Sequence, residues 1–89
     1  MIEGQVTVVN ALGLHARAAA KFVNLAKTFS STVEVHAGDQ SVDGKSIMGV
    51  MMLAAARGTE LILRVGGPDD AEAFAALTEL VADRFGEAE

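Results

Sequence analysis

Eighty-nine residues with seven Lys or Arg against twelve Asp or Glu, 51% hydrophobic and 21% charged, suffice for one compact domain whose small core needs most apolar side chains inside. The absence of cysteine excludes a disulfide framework and a thiolate metal site, and no apolar run approaches the ~20 residues that span a bilayer. An acidic chain without Trp or Tyr lacks both the phosphate-neutralising charge and the stacking platforms of a nucleic-acid binder. Residues 1–58 hold five basic and four acidic side chains, and residues 59–89 two and eight. The end of the chain therefore reads as a solvated acidic segment. Met1-Ile2-Glu3-Gly4-Gln5 lacks the basic start and apolar stretch of a secretion signal, which points to the cytoplasm.

In chain order, Gln5-Val6-Thr7-Val8-Val9 predicts a strand with Val6 and Val8 inward. Asn10-Ala11-Leu12-Gly13-Leu14 is a turn, and residues 16–28 predict a helix with Ala19, Phe22, Val23, Ala26 and Phe29 on one stripe. Thr32-Val33-Glu34-Val35-His36-Ala37 alternates as a second strand, with Glu34 and His36 outward. Gly38-Asp39 turns it into a third around Gln40-Ser41-Val42. Residues 47–56 predict a short helix, with Gly58 placed to end it.

Glu60-Leu61-Ile62-Leu63-Arg64-Val65 predicts the fourth strand. Pro68-Asp69-Asp70 opens a last helix, with proline in the first turn and two carboxylates against the positive end of its dipole. Phe74, Leu77, Val81 and Phe85 form that helix's stripe. The order β-α-β-β-α-β-α, with each strand showing one inward face, predicts an α+β domain over 1–89: an antiparallel sheet covered by helices on one side.

The chemistry gathers at Gly13-Leu14-His15-Ala16-Arg17. A helix start leaves N–H groups without partners and carries about half a positive charge, so an anion on His15 meets donors. Arg17 adds a planar cation that can take phosphate oxygens two at a time. The same positive field disfavours the imidazolium, leaving a neutral nucleophile fit to attack phosphorus. Taken locally, a histidine at a helix start is more often a plain cap or a solvated side chain, and the His-x-Arg triplet by itself is a weak signal. Ser46 is placed as an N-cap. Ile47, Met48, Val50, Met51, Met52 and Leu53 are too many apolar side chains for one buried face, so Ile47, Met48 and Met51 are expected at the surface as partner contacts. His36 with Glu34 is a surface pair, short of a metal site.

Asn10-Ala11-Leu12-Gly13-Leu14-His15-Ala16-Arg17-Ala18-Ala19 closely resembles the active-site segment of the histidine-containing phosphocarrier (HPr) family of the bacterial phosphotransferase system. Gly44-Lys45-Ser46-Ile47-Met48-Gly49-Val50-Met51-Met52-Leu53 resembles that family's regulatory-serine segment. The resemblance implies an open-faced β-sandwich with four antiparallel strands in the order 1-4-2-3 and three helices on one face. It also implies phosphorylation of His15 at Nδ1, phosphate stabilisation by Arg17, and modification of Ser46 by an ATP-dependent serine kinase and its phosphorylase. Implied partners are phosphorylated enzyme I as donor and an EIIA-type protein or domain as acceptor. The chain would act as a monomeric phosphoryl-transfer protein without cofactor, metal, nucleic acid or membrane, rather than as an independent enzyme. One departure is plain: Ala18 stands where most members have proline, which loosens the first turn.

Two other readings stay open on the residues alone. A ferredoxin-like regulatory domain holding a small metabolite shares much of the element order. A signalling module acting through phosphorylated Ser46 is the other, though its branch of the family lacks the active histidine. Sugar uptake and nitrogen-related regulation are not separable here.

Overall fold

The computed structural model describes residues 1–89. Four strands, β1 (Ile2–Thr7), β2 (Thr32–Ala37), β3 (Gln40–Asp43) and β4 (Glu60–Gly66), alternate with three helices, α1 (Ala16–Ala26), α2 (Ile47–Met52) and α3 (Asp70–Ala82), and a 3₁₀ turn follows at Arg84–Gly86. The sheet runs β1-β4-β2-β3 with every neighbouring pair antiparallel. This is the α+β open-faced sandwich expected.

Alternation sets the two faces. Val33, Val35, Leu61, Leu63 and Val65 are buried beneath the helices, while Glu3, Gln5, Glu34 and Ile62 face solvent on the open side. Each helix contributes one stripe to the same core: Ala19, Phe22, Val23 and Ala26 from α1, Val50 from α2, and Ala73, Leu77 and Val81 from α3. At the β2–β3 hairpin, Gly38 takes φ +61°, the left-handed geometry such tight turns require.

Several boundaries differ from the sequence reading. β1 begins at Ile2 rather than Gln5 and ends at Thr7, its register fixed by pairing Ile2 with Val65 through Thr7 with Glu60. Gly4, a poor strand former, is tolerated because the Phe74 ring lies where its side chain would project. α1 stops at Ala26: Thr28 and Phe29 donate to Leu25 and Ala26, three residues back, so the last turn tightens.

α2 is shorter than 47–56. Ala54 leaves the helix at φ +49°, and the Ala55 carbonyl is claimed by the Leu14 N–H at 2.9 Å. Gly58 is therefore not the end of α2; it sits at φ +92° ahead of β4, donating to Val8 at 2.7 Å. Phe85 is fully buried but lies beyond α3, where Arg84 and Phe85 both adopt positive φ and the chain reverses.

Asp69, expected to face the α3 dipole, makes no side-chain cap there. It accepts instead from the N–H groups of Ser30 and Ser31, both at 2.9 Å, and from the Ser31 hydroxyl. The Ser31 hydroxyl foremost, then the Ser30 N–H, hold its carboxyl below the ordinary 3.8 against an opposing burial cost. The unfolded chain thus binds this proton more tightly, so the contact stabilises above about pH 4 and is lost as pH falls through the folded value. Asp69→Asn is expected to lower the melting temperature at neutral pH and to approach the wild-type curve below pH 3. Parallel melting curves from pH 2 to 7 would show the carboxylate does not contribute in this way.

Candidate functional site

The site is built on the turn before α1. Asn10 is fully buried, and its Nδ2 donates to the Gly13 carbonyl at 2.8 Å. Gly13 takes φ +67° and donates back to the Asn10 carbonyl at 3.2 Å. With Leu14 buried and bonded to Ala55, this loop is pinned on both sides.

His15 follows as the N-cap of α1, in extended backbone at φ −74°, ψ 177°. Its Nδ1 accepts from the Arg17 N–H at 3.3 Å, a long bond within reach of displacement by a better acceptor. The first intrahelical bond runs from Ala19 to the His15 carbonyl at 2.9 Å. The N–H groups of Ala16 and Ala18 are therefore free at the helix mouth, as at any helix start. Ala18 is buried against the core and supplies one N–H that proline would lack. The junction it was expected to loosen is braced by Asn10, Gly13 and Ala55.

The other face of the ring was not foreseen. His15 Nε2 is in contact with a carboxylate oxygen of Glu87, and the second oxygen of Glu87 accepts from Asn10 Nδ2 at 2.9 Å. Glu87 thus departs from the solvated acidic tail expected. The reversal at Arg84–Gly86 turns the chain back, Lys21 fastens it by donating to the Phe85 carbonyl at 2.8 Å, and Ala11 donates to the Glu89 carbonyl at 2.9 Å. Donation by Asn10 is the chief reason that the Glu87 carboxyl lies below its ordinary 4.5; burial opposes it, while the His15 bond and charge and the Lys21 charge add to it.

With Nδ1 accepting an amide proton and Nε2 facing a carboxylate, the hydrogen sits on Nε2 and the lone pair on Nδ1. That lone pair opens toward the helix mouth. The cation-only field expected around the ring is here balanced by a carboxylate in contact. Arg17 is exposed, and its guanidinium is engaged in none of the ion pairs. It is free to meet an anion.

Ser46 caps α2, its Oγ accepting from the Gly49 N–H at 3.0 Å. Ile47, Met48 and Met51 are 38%, 74% and 40% exposed, and Met52, not singled out from the sequence, is 72% exposed, whereas Val50 and Leu53 are buried. Leu12 adds a further exposed apolar side chain beside His15. His36 lies on the open sheet face, 2.9 Å from Glu34, away from all of this.

Sequence reasoning missed Asn10, Lys21 and Glu87 as site residues. Asn10 read as a turn former at the start of the resembling segment, with no role for its side chain, and Glu87 lies 72 residues from the ring it touches. No periodicity or local spacing connects them.

Residues 2–83 match the family profile described as "PTS HPr component phosphorylation site". Over all 89 residues the chain is 52% identical to the phosphocarrier protein HPr of Cupriavidus necator, each covering 100% of the other. It is 54% identical over 86 residues to HPr of Pseudomonas putida, 96% of both chains being covered. In structure it resembles HPr from Thermoanaerobacter tengcongensis with a TM-score of 0.95 at 42% identity, covering both chains fully. It also resembles the Bacillus subtilis protein Crh, described as a domain-swapped dimer, with a TM-score of 0.76 at 40% identity over 94% of this chain and 97% of that one.

Proposed function

The chain belongs to the HPr family, the phosphoryl carriers of the bacterial phosphotransferase system, and on that premise we propose that His15 carries the phosphoryl group on Nδ1, with Arg17 stabilising it. The observation that supports this most is the orientation of the ring: Nδ1 faces the helix mouth, engaged only by the long bond from the Arg17 N–H, while Nε2 faces the Glu87 carboxylate. Phosphorylated enzyme I presents phosphorus to that lone pair. As the new N–P bond forms, the donor's bond to phosphorus breaks with its electrons, and the phosphoryl oxygens take the Arg17 N–H and guanidinium in place of the weak bond to Nδ1. Donation to an EIIA-type acceptor runs the same step in reverse.

Ile47, Met48 and Met51, exposed beside Ser46, form the apolar part of the docking surface. A kinase-added phosphate on Ser46 brings close to two negative charges to the edge of that surface and weakens partners that present carboxylates or apolar groups there. The carrier acts in the cytoplasm, in a reading supported by the lack of any helix long and apolar enough to cross a membrane. It acts as a monomer, with β1 seated in its own sheet.

Incubation with phosphoenolpyruvate and enzyme I is expected to add one acid-labile, base-stable phosphoryl group, absent from His15→Ala. An ATP-dependent serine kinase is expected to add a separate acid-stable group, absent from Ser46→Ala. Mass spectrometry reads both. Undiminished acid-labile label in His15→Ala would remove the assignment.

A further inference from the structure

We infer that Glu87 is a positioning residue for phosphoryl transfer: aimed by Asn10, its carboxylate holds the Nε2–H of His15 and is the counter-ion of the ring while Nδ1 carries phosphate. The inference deepens the reading of His15 as carrier and rests on it. Glu87 lies outside the residues 2–83 matched by the family profile, so the role is argued from this chain's own contacts.

Three observations place the carboxylate. One oxygen takes Asn10 Nδ2 at 2.9 Å, and Asn10 cannot swing, being fully buried with its other N–H on the Gly13 carbonyl. The second oxygen faces His15 Nε2. The segment itself is held by Lys21 on the Phe85 carbonyl and by Ala11 on the Glu89 carbonyl. Hydrogen bonding by Asn10, foremost among the causes, keeps the carboxyl charged below the usual range.

The charge balance of the carrier step needs such a group. Before transfer the ring is neutral, with hydrogen on Nε2 and a lone pair on Nδ1. The lone pair forms the N–P bond, the donor leaves with the pair from its own bond to phosphorus, and the ring keeps its hydrogen. It therefore becomes a phosphoimidazolium with one positive charge. On donation the N–P electrons return to Nδ1 and the neutral ring reappears. No proton enters or leaves in either direction, provided Nε2–H stays in place. If that hydrogen is lost, the departing group is an imidazolate, far poorer at leaving. Arg17 and Lys21, both on α1, oppose the ring's charge; Glu89, along the same depression, is a further acidic group, and of these charged side chains Glu87 is the one hydrogen-bonded to the ring.

The test compares wild type, Glu87→Gln, which keeps shape and an acceptor oxygen without charge, and Glu87→Ala, which removes both. Each is phosphorylated with phosphoenolpyruvate and enzyme I, and the ³¹P resonance and the rate of phosphoryl loss are followed from pH 5 to 10. In both variants the midpoint of the titration is expected to fall by about one pH unit, and phosphoryl loss to slow in the window between the variant and wild-type midpoints. A side chain with a merely structural role would not move that profile. Unchanged midpoints in Glu87→Gln overturn the counter-ion role, even if Glu87→Ala shifts. Wild type that takes no phosphoryl group on His15 overturns the carrier reading and this inference together, whereas labelled proteins with identical profiles overturn the inference alone.

Discussion

Arg17→Ala is expected to slow phosphoryl transfer between enzyme I and His15 by about 10²- to 10³-fold, the usual cost of removing one preorganised donor from a developing charge. In phosphoryl transfer the protein forms little covalent chemistry of its own; rate comes from positioning and from neutralising charge spread over three oxygens. Near Nδ1 the chain offers free amide donors of α1 and one uncommitted guanidinium. The amides survive the substitution, since any residue supplies them, so the loss isolates the side chain. Arg17 is exposed and outside the core, and stability should stay within ~0.5 kcal/mol of wild type. Arg17→Lys is expected to recover part of the rate, supplying charge without the planar two-pronged donor. Rapid-quench single-turnover transfer from phosphorylated enzyme I measures both rates, and urea unfolding measures the stability. A rate for Arg17→Ala within threefold of wild type would mean that the guanidinium does not contact the moving group.

The second large effect is on stability. Gly13→Ala is expected to cost about 2–4 kcal/mol, combining the ~1 kcal/mol penalty of a left-handed residue with steric strain. At φ +67°, an added Cβ falls 2.5 Å from the Ala55 carbonyl oxygen and 3.0 Å from the Ala56 Cα. Both are backbone atoms, and that oxygen already accepts from Leu14, so nothing yields cheaply. Gly38 is the matched control: its φ is +61° with nothing within 4 Å of an added Cβ, so Gly38→Ala should show the conformational penalty alone. Relief of the clash would push apart the turn and the α2–β4 loop, carrying Asn10, and with it Glu87, away from His15. Urea unfolding of the two variants decides the matter, and equal midpoints would remove the clash from the account.

The two residues differ in how they could be known. Arg17 was visible as chemistry in the linear chain because histidine, helix start and arginine are neighbours, and neighbours within one turn meet whatever the rest of the fold does. The same holds for Ser46 at the head of α2. It holds also for the surplus of apolar side chains from Ile47 to Leu53, which had to leave some exposed because a short helix has one buried face. The strands and helices followed from side-chain periods of two and 3.6. Their order along the sheet came only through a likeness to known proteins, since alternation says which face is inward and nothing about which strand lies beside which.

What tertiary structure decided concerns segments distant in the chain. α2 ended early although alanine favours helix: Ala54 turns to φ +49°, and the Ala55 carbonyl beyond it meets the Leu14 N–H from the other side of the site. Gly4 could stand inside β1 because Phe74 fills the place of its missing side chain. Asp69 turned from its own helix to Ser30 and Ser31. Glu87, one of eight acidic residues in the last third, left solvent because the positive-φ reversal at Arg84 and Phe85 delivers it to a histidine 72 positions away. Local preference is written in each residue's neighbours and can be read there. A contact across the whole chain depends on every element between its partners and becomes visible only once they have packed.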